Sequence, residues 1–251
     1  MKVVYYKEFS KYLNKDMEFK VYGHKGKPCL FFPSQNGKFY DYEDRGIISS
    51  LNNLIEEGKI QIFTVESNDI ESFSANYKNP RDRILSQEAY YNYIIEEIVP
   101  RIYEINSYNN YGMDNKILSY GVSLGAYHAM NVFIRRPDIF DSVIALSGVY
   151  NTNYYINNYA DEYTFLNSPI ESLKHLSFDH PYINLYRRSK IIVCVGQGSW
   201  EEDCISDTRK IQGQFDRLQI PCWIDYWGYD VPHDWPSWLL QTPYFFNHIL
   251  N

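Results

Sequence analysis

A doubly wound, mostly parallel α/β sheet is the architecture this sequence predicts, and three observations predict it. Short apolar runs recur along the chain and are near-continuous rather than alternating, as parallel strands covered on both faces require. Segments of helical period lie between them. The length, 251 residues with 45% hydrophobic side chains, suits one large α/β domain with a substantial core. The expected organisation is a single domain over residues 1–251, with an antiparallel N-terminal edge and a Tyr/Asn-rich, cap-like excursion over about 149–188.

The elements follow in order. Met17, Phe19 and Val21 alternate with polar residues, which predicts a strand with one buried face, and Val3-Val4-Tyr5 supplies its antiparallel partner at the sheet edge. Parallel strands are predicted at Cys29–Phe32, Ile60–Val65, Ile117–Tyr120, Val143–Leu146 and Ile191–Val195, with a final strand within Cys222–Trp227. A helix is expected over Ile47–Glu57, stopped by Gly58. Another is expected over Gln87–Tyr103, where Tyr90, Ile94, Ile98 and Ile102 share one face despite Pro100. Leu124–Ile134 ends before Pro137, and Asp207–Leu218 precedes Pro221. Val149–Arg188 fits no clean period and reads as an excursion over the carboxyl edge of the sheet, where such folds hold their ligands.

Composition narrows the partners. With 24 basic and 31 acidic residues the net charge is −7, which offers no footprint for nucleic acid. No apolar stretch approaches the ~20 residues that span a bilayer, and Met1–Glu8 carries no apolar leader region. Cys29, Cys194, Cys204 and Cys222 form no C-x-x-C pair, and Cys29 and Cys194 lie inside apolar runs. These read as small buried thiols in a reducing compartment, so a cytoplasmic protein without a membrane partner is expected. The 25 tyrosines and 14 phenylalanines predict large rings in the core and around clefts. The sequence leaves a homo-oligomer open.

Gly121-Val122-Ser123-Leu124-Gly125 follows an apolar strand and opens a helix. A serine nucleophile must project from a tight strand-to-helix turn, and glycines on either side permit the close approach. The amide of Leu124, at a helix N-terminus, can donate to a developing oxyanion. The second donor is expected from the loop after the first parallel strand, at the amide of Gln35 or Asn36.

A serine hydroxyl needs a neighbouring base. Of six histidines, His24, His128, His175, His180 and His248 lie before the first parallel strand, on the helix after the serine, in the excursion or in the last helix. His233 lies in a loop between the last strand and the last helix, which matches the order serine, acid, histidine. The acid should follow Ile191–Val195, where Glu201, Glu202 and Asp203 stand together. Neighbouring residues cannot all face one imidazole; Glu201 is the first choice, with Glu202 and Asp203 behind it. Acidic residues also suit a helix start without any catalytic duty.

The run Ser119–Ala129, the segment Arg135-Arg136-Pro137-Asp138-Ile139-Phe140-Asp141, Leu146-Ser147-Gly148 and the closing His233-Asp234-Trp235-Pro236-Ser237-Trp238 together resemble the putative-esterase (esterase D-like) family of the α/β-hydrolase superfamily. The likeness runs from about Pro28 to the C-terminus. That family includes carboxylesterases, feruloyl and acetylxylan esterases, S-formylglutathione hydrolases, siderophore trilactone hydrolases and mycolyl transferases. The resemblance implies acyl transfer from an oxygen or sulfur ester through an acyl-serine. It carries Ser123 and His233 as catalytic residues, and the acid to the region Glu201–Asp203. Where related chains often carry Trp and His, this one has Phe73 and Gln87, so its pocket is expected to differ.

The expected function is therefore a serine esterase acting on a small-molecule ester with a Ser123–His233–acid triad, without metal or cofactor. Tyr150, Tyr154, Tyr155, Tyr159 and Tyr163 either wall an acyl pocket or pack the cap. Two alternatives keep the fold: a catalytically silent binding or scaffold protein, and an acyltransferase using the same triad.

Overall fold

The computed structural model describes residues 1–109, 116–156 and 159–250. Eight strands form one sheet: β1 (Val3–Ser10), β2 (Lys15–Tyr22), β3 (Lys27–Phe32), β4 (Ile60–Val65), β5 (Ile117–Val122), β6 (Phe140–Leu146), β7 (Lys190–Val195) and β8 (Trp223–Tyr226). Their spatial order is β1-β2-β4-β3-β5-β6-β7-β8. β1 and β2 pair antiparallel, β2 joins β4 antiparallel, and every other pairing is parallel. This is the α/β-hydrolase arrangement expected above, with its antiparallel N-terminal edge.

Helices cover both faces. Along β3, Leu30 and Phe32 enter one apolar cluster while Cys29 and Phe31 enter the other, as the two-residue period of a strand dictates. Between β3 and β4 lie α1 (Asp41–Asp44), α2 (Ile47–Ser50) and α3 (Asn52–Glu56). α4 (Pro80–Tyr93) continues through a π-turn segment, Ile94–Ile98, into α5 (Val99–Asn109). α6 (Leu124–Arg135) follows β5 directly. The excursion after β6 forms α7 (Asn153–Ile156), α8 (Glu162–Leu166), α9 (Pro169–Lys174) and α10 (Tyr182–Tyr186); residues 157–158 of it lie outside the described set. α11 (Glu202–Arg217) and α12 (Trp235–Ile249) complete the chain. Among the described residues, no helix is long and apolar enough to cross a membrane.

Three helical expectations change. The single helix expected over Ile47–Glu57 is two short ones, because Ser50 Oγ donates to the Ile47 carbonyl at 2.7 Å and the chain turns at Leu51. Serine competes with the helix for its own carbonyls in this way. The helix expected from Gln87 starts earlier, at Pro80, where Asn79 Oδ1 accepts the Asp82 N–H at 2.9 Å and proline occupies the first turn. It passes Pro100 by widening over Ile94–Ile98, since proline lacks the N–H that the preceding turn needs. The helix expected from Asp207 begins at Glu202. The excursion is not structureless: Asp161 and Thr164 form a reciprocal capping box, both bonds 2.9 Å, at the start of α8.

The topology sets the functional edge. β3 leads leftward to β4, whereas β5 lies on its other side, so the carboxyl ends of β3 and β5 flank the point where strand order reverses. Loops leaving such a point diverge and leave a crevice. The register aligns Phe32 with Gly121, Val122 with Leu146, Leu146 with Cys194 and Val195 with Tyr226, so the loops after β3, β5, β6, β7 and β8 all open on one side. Helix α6 sits hard against this edge. A Cβ on Gly121 would lie 2.1 Å from the Gly125 carbonyl oxygen, and one on Gly125 would lie 2.2 Å from that of Phe32.

Because both contacts are with backbone, Gly121→Ala is expected to cost about 1–3 kcal/mol or more, the range for overpacking a closed site. Urea denaturation measures it, and an unchanged midpoint would contradict the close strand–helix contact.

Candidate active site

Ser123 occupies the step from β5 to α6 with φ 56° and ψ −127°. A non-glycine residue pays for a positive φ, and it keeps this one because its neighbours hold it. Its N–H donates to the Leu146 carbonyl at 2.9 Å, and its own carbonyl accepts the Ala126 N–H at 3.0 Å. The hydroxyl is thereby lifted off the sheet edge. It stands 2.9 Å from His233 Nε2.

His233 comes from the loop joining β8 to α12. That loop is held by the one after β7: Gly198 N–H donates to the Val231 carbonyl at 2.9 Å, and His233 N–H donates to the Ser199 carbonyl at 3.0 Å. Gly196 makes the approach feasible, since a Cβ there would lie 2.1 Å from the Val231 oxygen. Trp238 of α12 packs edge-on against the imidazole, with ring centroids 5.0 Å apart.

Glu201 is fully buried and its Oε2 lies 3.3 Å from His233 Nδ1. Its other oxygen accepts the Ser147 hydroxyl at 2.6 Å and the Gly196 N–H at 3.3 Å. Ser147 Oγ in turn accepts Trp238 Nε1–H at 3.1 Å. A buried carboxylate is tolerable only with such partners. Of the three acids considered from sequence, Glu201 alone is brought to the imidazole; Glu202 and Asp203 are exposed, in the first turn of α11.

The two oxyanion-loop candidates fare differently. Asn36, at φ 58°, donates its N–H to Asp69 Oδ2 at 2.9 Å, so that amide is already engaged. Gln35 lines the same pocket as Ser123 and Leu124, and its side chain is anchored by Nε2–H to Ser74 Oγ at 2.9 Å. Leu124 is the first residue of α6, where helical N–H groups have no partner within the helix.

Asp69 was not anticipated from the sequence. It is fully buried, and its second oxygen lies 3.1 Å from Nε2 of the buried His128 of α6. His128 Nδ1 is 3.5 Å from Gln87 Nε2, and the rings of Phe32, Phe73, Tyr90 and Tyr127 surround the imidazole. The pair therefore ties the loop after β3 to the helix that carries Ser123. No local motif announces it, because Asp69 and His128 are distant in sequence and meet only across the fold.

The pocket holds about 330 Å³. Val149, Tyr154, Tyr155 and Trp200 supply its apolar wall, while Glu202 and Asp203 line it with charge. Of the five tyrosines considered from sequence, Tyr154 and Tyr155 reach it; Tyr150 is fully buried in the main core, and Tyr159 and Tyr163 pack on the Phe73–Ile84 cluster. Arg83 fixes the wall from behind, bonding the carbonyls of Ser72, Phe73 and Tyr155. Burial pushes the Tyr155 hydroxyl well above its ordinary range, so it stays a neutral phenol. Burial, reinforced by Glu201, also holds the Cys204 thiol protonated.

A family model described as putative esterase matches residues 10–239. No curated protein sequence matches the chain at significance. Among solved structures, a ferulic acid esterase superposes with a TM-score of 0.73 at 18% identity, over 99% of this chain and 96% of that one. An S-formylglutathione hydrolase from Agrobacterium tumefaciens gives 0.73 at 13% identity, over 99% and 94%. FphF, a fluorophosphonate-binding serine hydrolase of Staphylococcus aureus, gives 0.71 at 14% identity, over 100% and 98%. These structures share the fold.

Asp69→Ala leaves the Asn36 amide and the His128 imidazole without their acceptor in a closed interior. It is expected to cost about 2–6 kcal/mol, at about 1–3 kcal/mol for each of the two orphaned groups. Chemical denaturation tests this; a loss under about 0.5 kcal/mol, ordinary for a surface change, would contradict the tie.

Proposed function

The chain belongs to the putative-esterase family, and from that premise we propose that it hydrolyses a carboxylic or thio ester of a small molecule through an acyl-serine, with Ser123, His233 and Glu201 as the triad. The observation that carries the reading is the continuous contact from Ser123 Oγ to His233 Nε2 at 2.9 Å and from His233 Nδ1 to the buried Glu201 at 3.3 Å.

In this mechanism His233 Nε2 takes the Ser123 proton as the oxygen attacks the ester carbonyl. Glu201 accepts the Nδ1–H, which fixes the tautomer and favours the imidazolium that forms. The N–H groups of Leu124 and Gln35 receive the oxyanion, each such donor contributing about 3 kcal/mol in comparable sites. The imidazolium then protonates the leaving group, and a water molecule repeats the steps on the acyl-serine. Every proton moves between groups of this chain, substrate and water, so the scheme calls on no metal or cofactor.

A volume of about 330 Å³ sits at the small end of ligand sites, which run to roughly 1,000 Å³. With Tyr154, Tyr155 and Trp200 as walls, this supports a short acyl group or a compact aryl ester. A net charge of −7 supports a role away from nucleic acid. Four free cysteines support a cytoplasmic setting.

Hydrolysis of p-nitrophenyl acetate by variants tests the roles. Ser123→Ala and His233→Ala are expected to lower kcat by about 10⁴-fold or more, and Glu201→Gln by about 10³–10⁴-fold. Glu202→Gln and Asp203→Asn, at the rim, are expected to change it by less than about tenfold, since rim charges are screened. A larger loss in Glu202→Gln than in Glu201→Gln would reject the assigned acid.

A further inference from the structure

His233 Nδ1 faces two groups, not one. Glu201 Oε2 is 3.3 Å away and Cys204 Sγ is 3.7 Å away. The proposed mechanism uses the carboxylate; the thiol, whose Sγ–H donates to the Ser147 carbonyl at 3.2 Å, takes no part in it. Glu201 caps α11 and Cys204 lies three residues on, a spacing that puts both side chains on the same face of a helix. All three ligand atoms lie within 4.8 Å of one another.

We propose that Glu201, Cys204 and His233 form a binding site for a thiophilic divalent cation of the zinc type, and that its occupation switches the esterase off. The inhibition rests on the catalytic reading above; the binding does not.

Geometry carries the proposal first. A tetrahedral zinc ion holds nitrogen and oxygen at about 2.0–2.1 Å and sulfur at about 2.3 Å, which sets the nitrogen about 3.4 Å from the oxygen and about 3.6 Å from the sulfur. The observed separations of 3.3 and 3.7 Å from Nδ1 match these two values, and the sulfur lies within 4.8 Å of the carboxylate oxygen. The outer partners are also present: Ser147 Oγ–H holds the far oxygen of Glu201 at 2.6 Å, and His233 presents its opposite nitrogen to Ser123. Such partners orient ligands and tune their affinity. Cys204 and His233 both line the pocket, which provides the entry path and leaves the fourth coordination position to water.

Charge balance agrees. On binding, the Cys204 thiol loses its proton to solvent, and the imidazole proton moves from Nδ1 to Nε2. The dication, one thiolate, one carboxylate and a neutral imidazole sum to zero, as a buried site requires. A mixed sulfur, nitrogen and oxygen set suits zinc or cobalt and not magnesium or calcium. Inhibition follows from the proton shift, because Nε2 bearing hydrogen cannot accept a proton from Ser123.

The test uses cobalt(II) as an optical probe and zinc as the inhibitor on the intact protein. Wild type is expected to bind one cobalt per chain and to show a thiolate-to-cobalt charge-transfer band in the near ultraviolet. Cys204→Ala should lose that band, and His233→Ala, which keeps the thiol, should weaken it strongly. Zinc should inhibit wild type reversibly, with chelator restoring activity. For Cys204→Ala, compared with itself without zinc, half-inhibition should need more than about 100-fold more metal, since even an outer partner of a ligand is worth 10–100-fold. No band in wild type, a band indifferent to His233→Ala, or equal zinc sensitivity of Cys204→Ala would each overturn the site. Absence of ester hydrolysis in metal-free protein would instead reject the catalytic reading, and the cobalt band would still decide the binding site.

Discussion

Ser123 keeps a backbone conformation that its side chain disfavours, and the contact enforcing it is the pressing of α6 against the ends of β3 and β5. Gly125 lies against the Phe32 carbonyl so closely that a methyl group there would sit 2.2 Å from it. With α6 that near, the chain leaving Val122 can enter the helix only through a sharp step, and Ser123 takes it at φ 56°. The same contact brings the start of α6, with the Leu124 amide, beside the loop that carries Gln35. One constraint thus sets the height of the hydroxyl and the width of the crevice below it. Asp69 and His128 reinforce it from within, by bonding that loop to α6.

The second half of the site depends on a different contact of the same kind. The loops after β7 and β8 pack backbone against backbone through Gly196 and Val231, so His233 is positioned by the segment that also supplies Glu201. Trp238, Ser147 and Glu201 then form a buried polar chain in which the indole N–H donates to the serine oxygen and the serine hydroxyl to the carboxylate. Networks of this type are rigid when fully satisfied and costly when broken. The imidazole is held by its backbone, by its face against Trp238 and by its Nδ1 neighbours, which leaves Nε2 a single direction, toward Ser123.

Much of this was legible in the sequence, for physical reasons. Cys29–Phe32 and Ile191–Val195 read as strands because strands covered on both faces must be apolar throughout. Gly121–Gly125 read as a nucleophile turn because only small residues permit the strand–helix approach. His233 was singled out by chain order. What stayed hidden depends on contacts between distant segments. That the Asn36 amide is already engaged is decided by Asp69, 33 residues further on. Which acid meets His233 is decided by where α11 begins, and the acidic first turn obscures that boundary. The widening before Pro100 and the break at Leu51 reflect single hydrogen bonds lost or diverted, which an apolar period does not register.

Covalent labelling reads most directly whether Ser123 is an activated nucleophile. Purified protein would be treated with a fluorophosphonate probe and the adduct located by peptide mass mapping. One adduct per chain is expected, on Ser123, lost in His233→Ala although the serine remains. No adduct on folded protein, or an adduct on another residue, would contradict it.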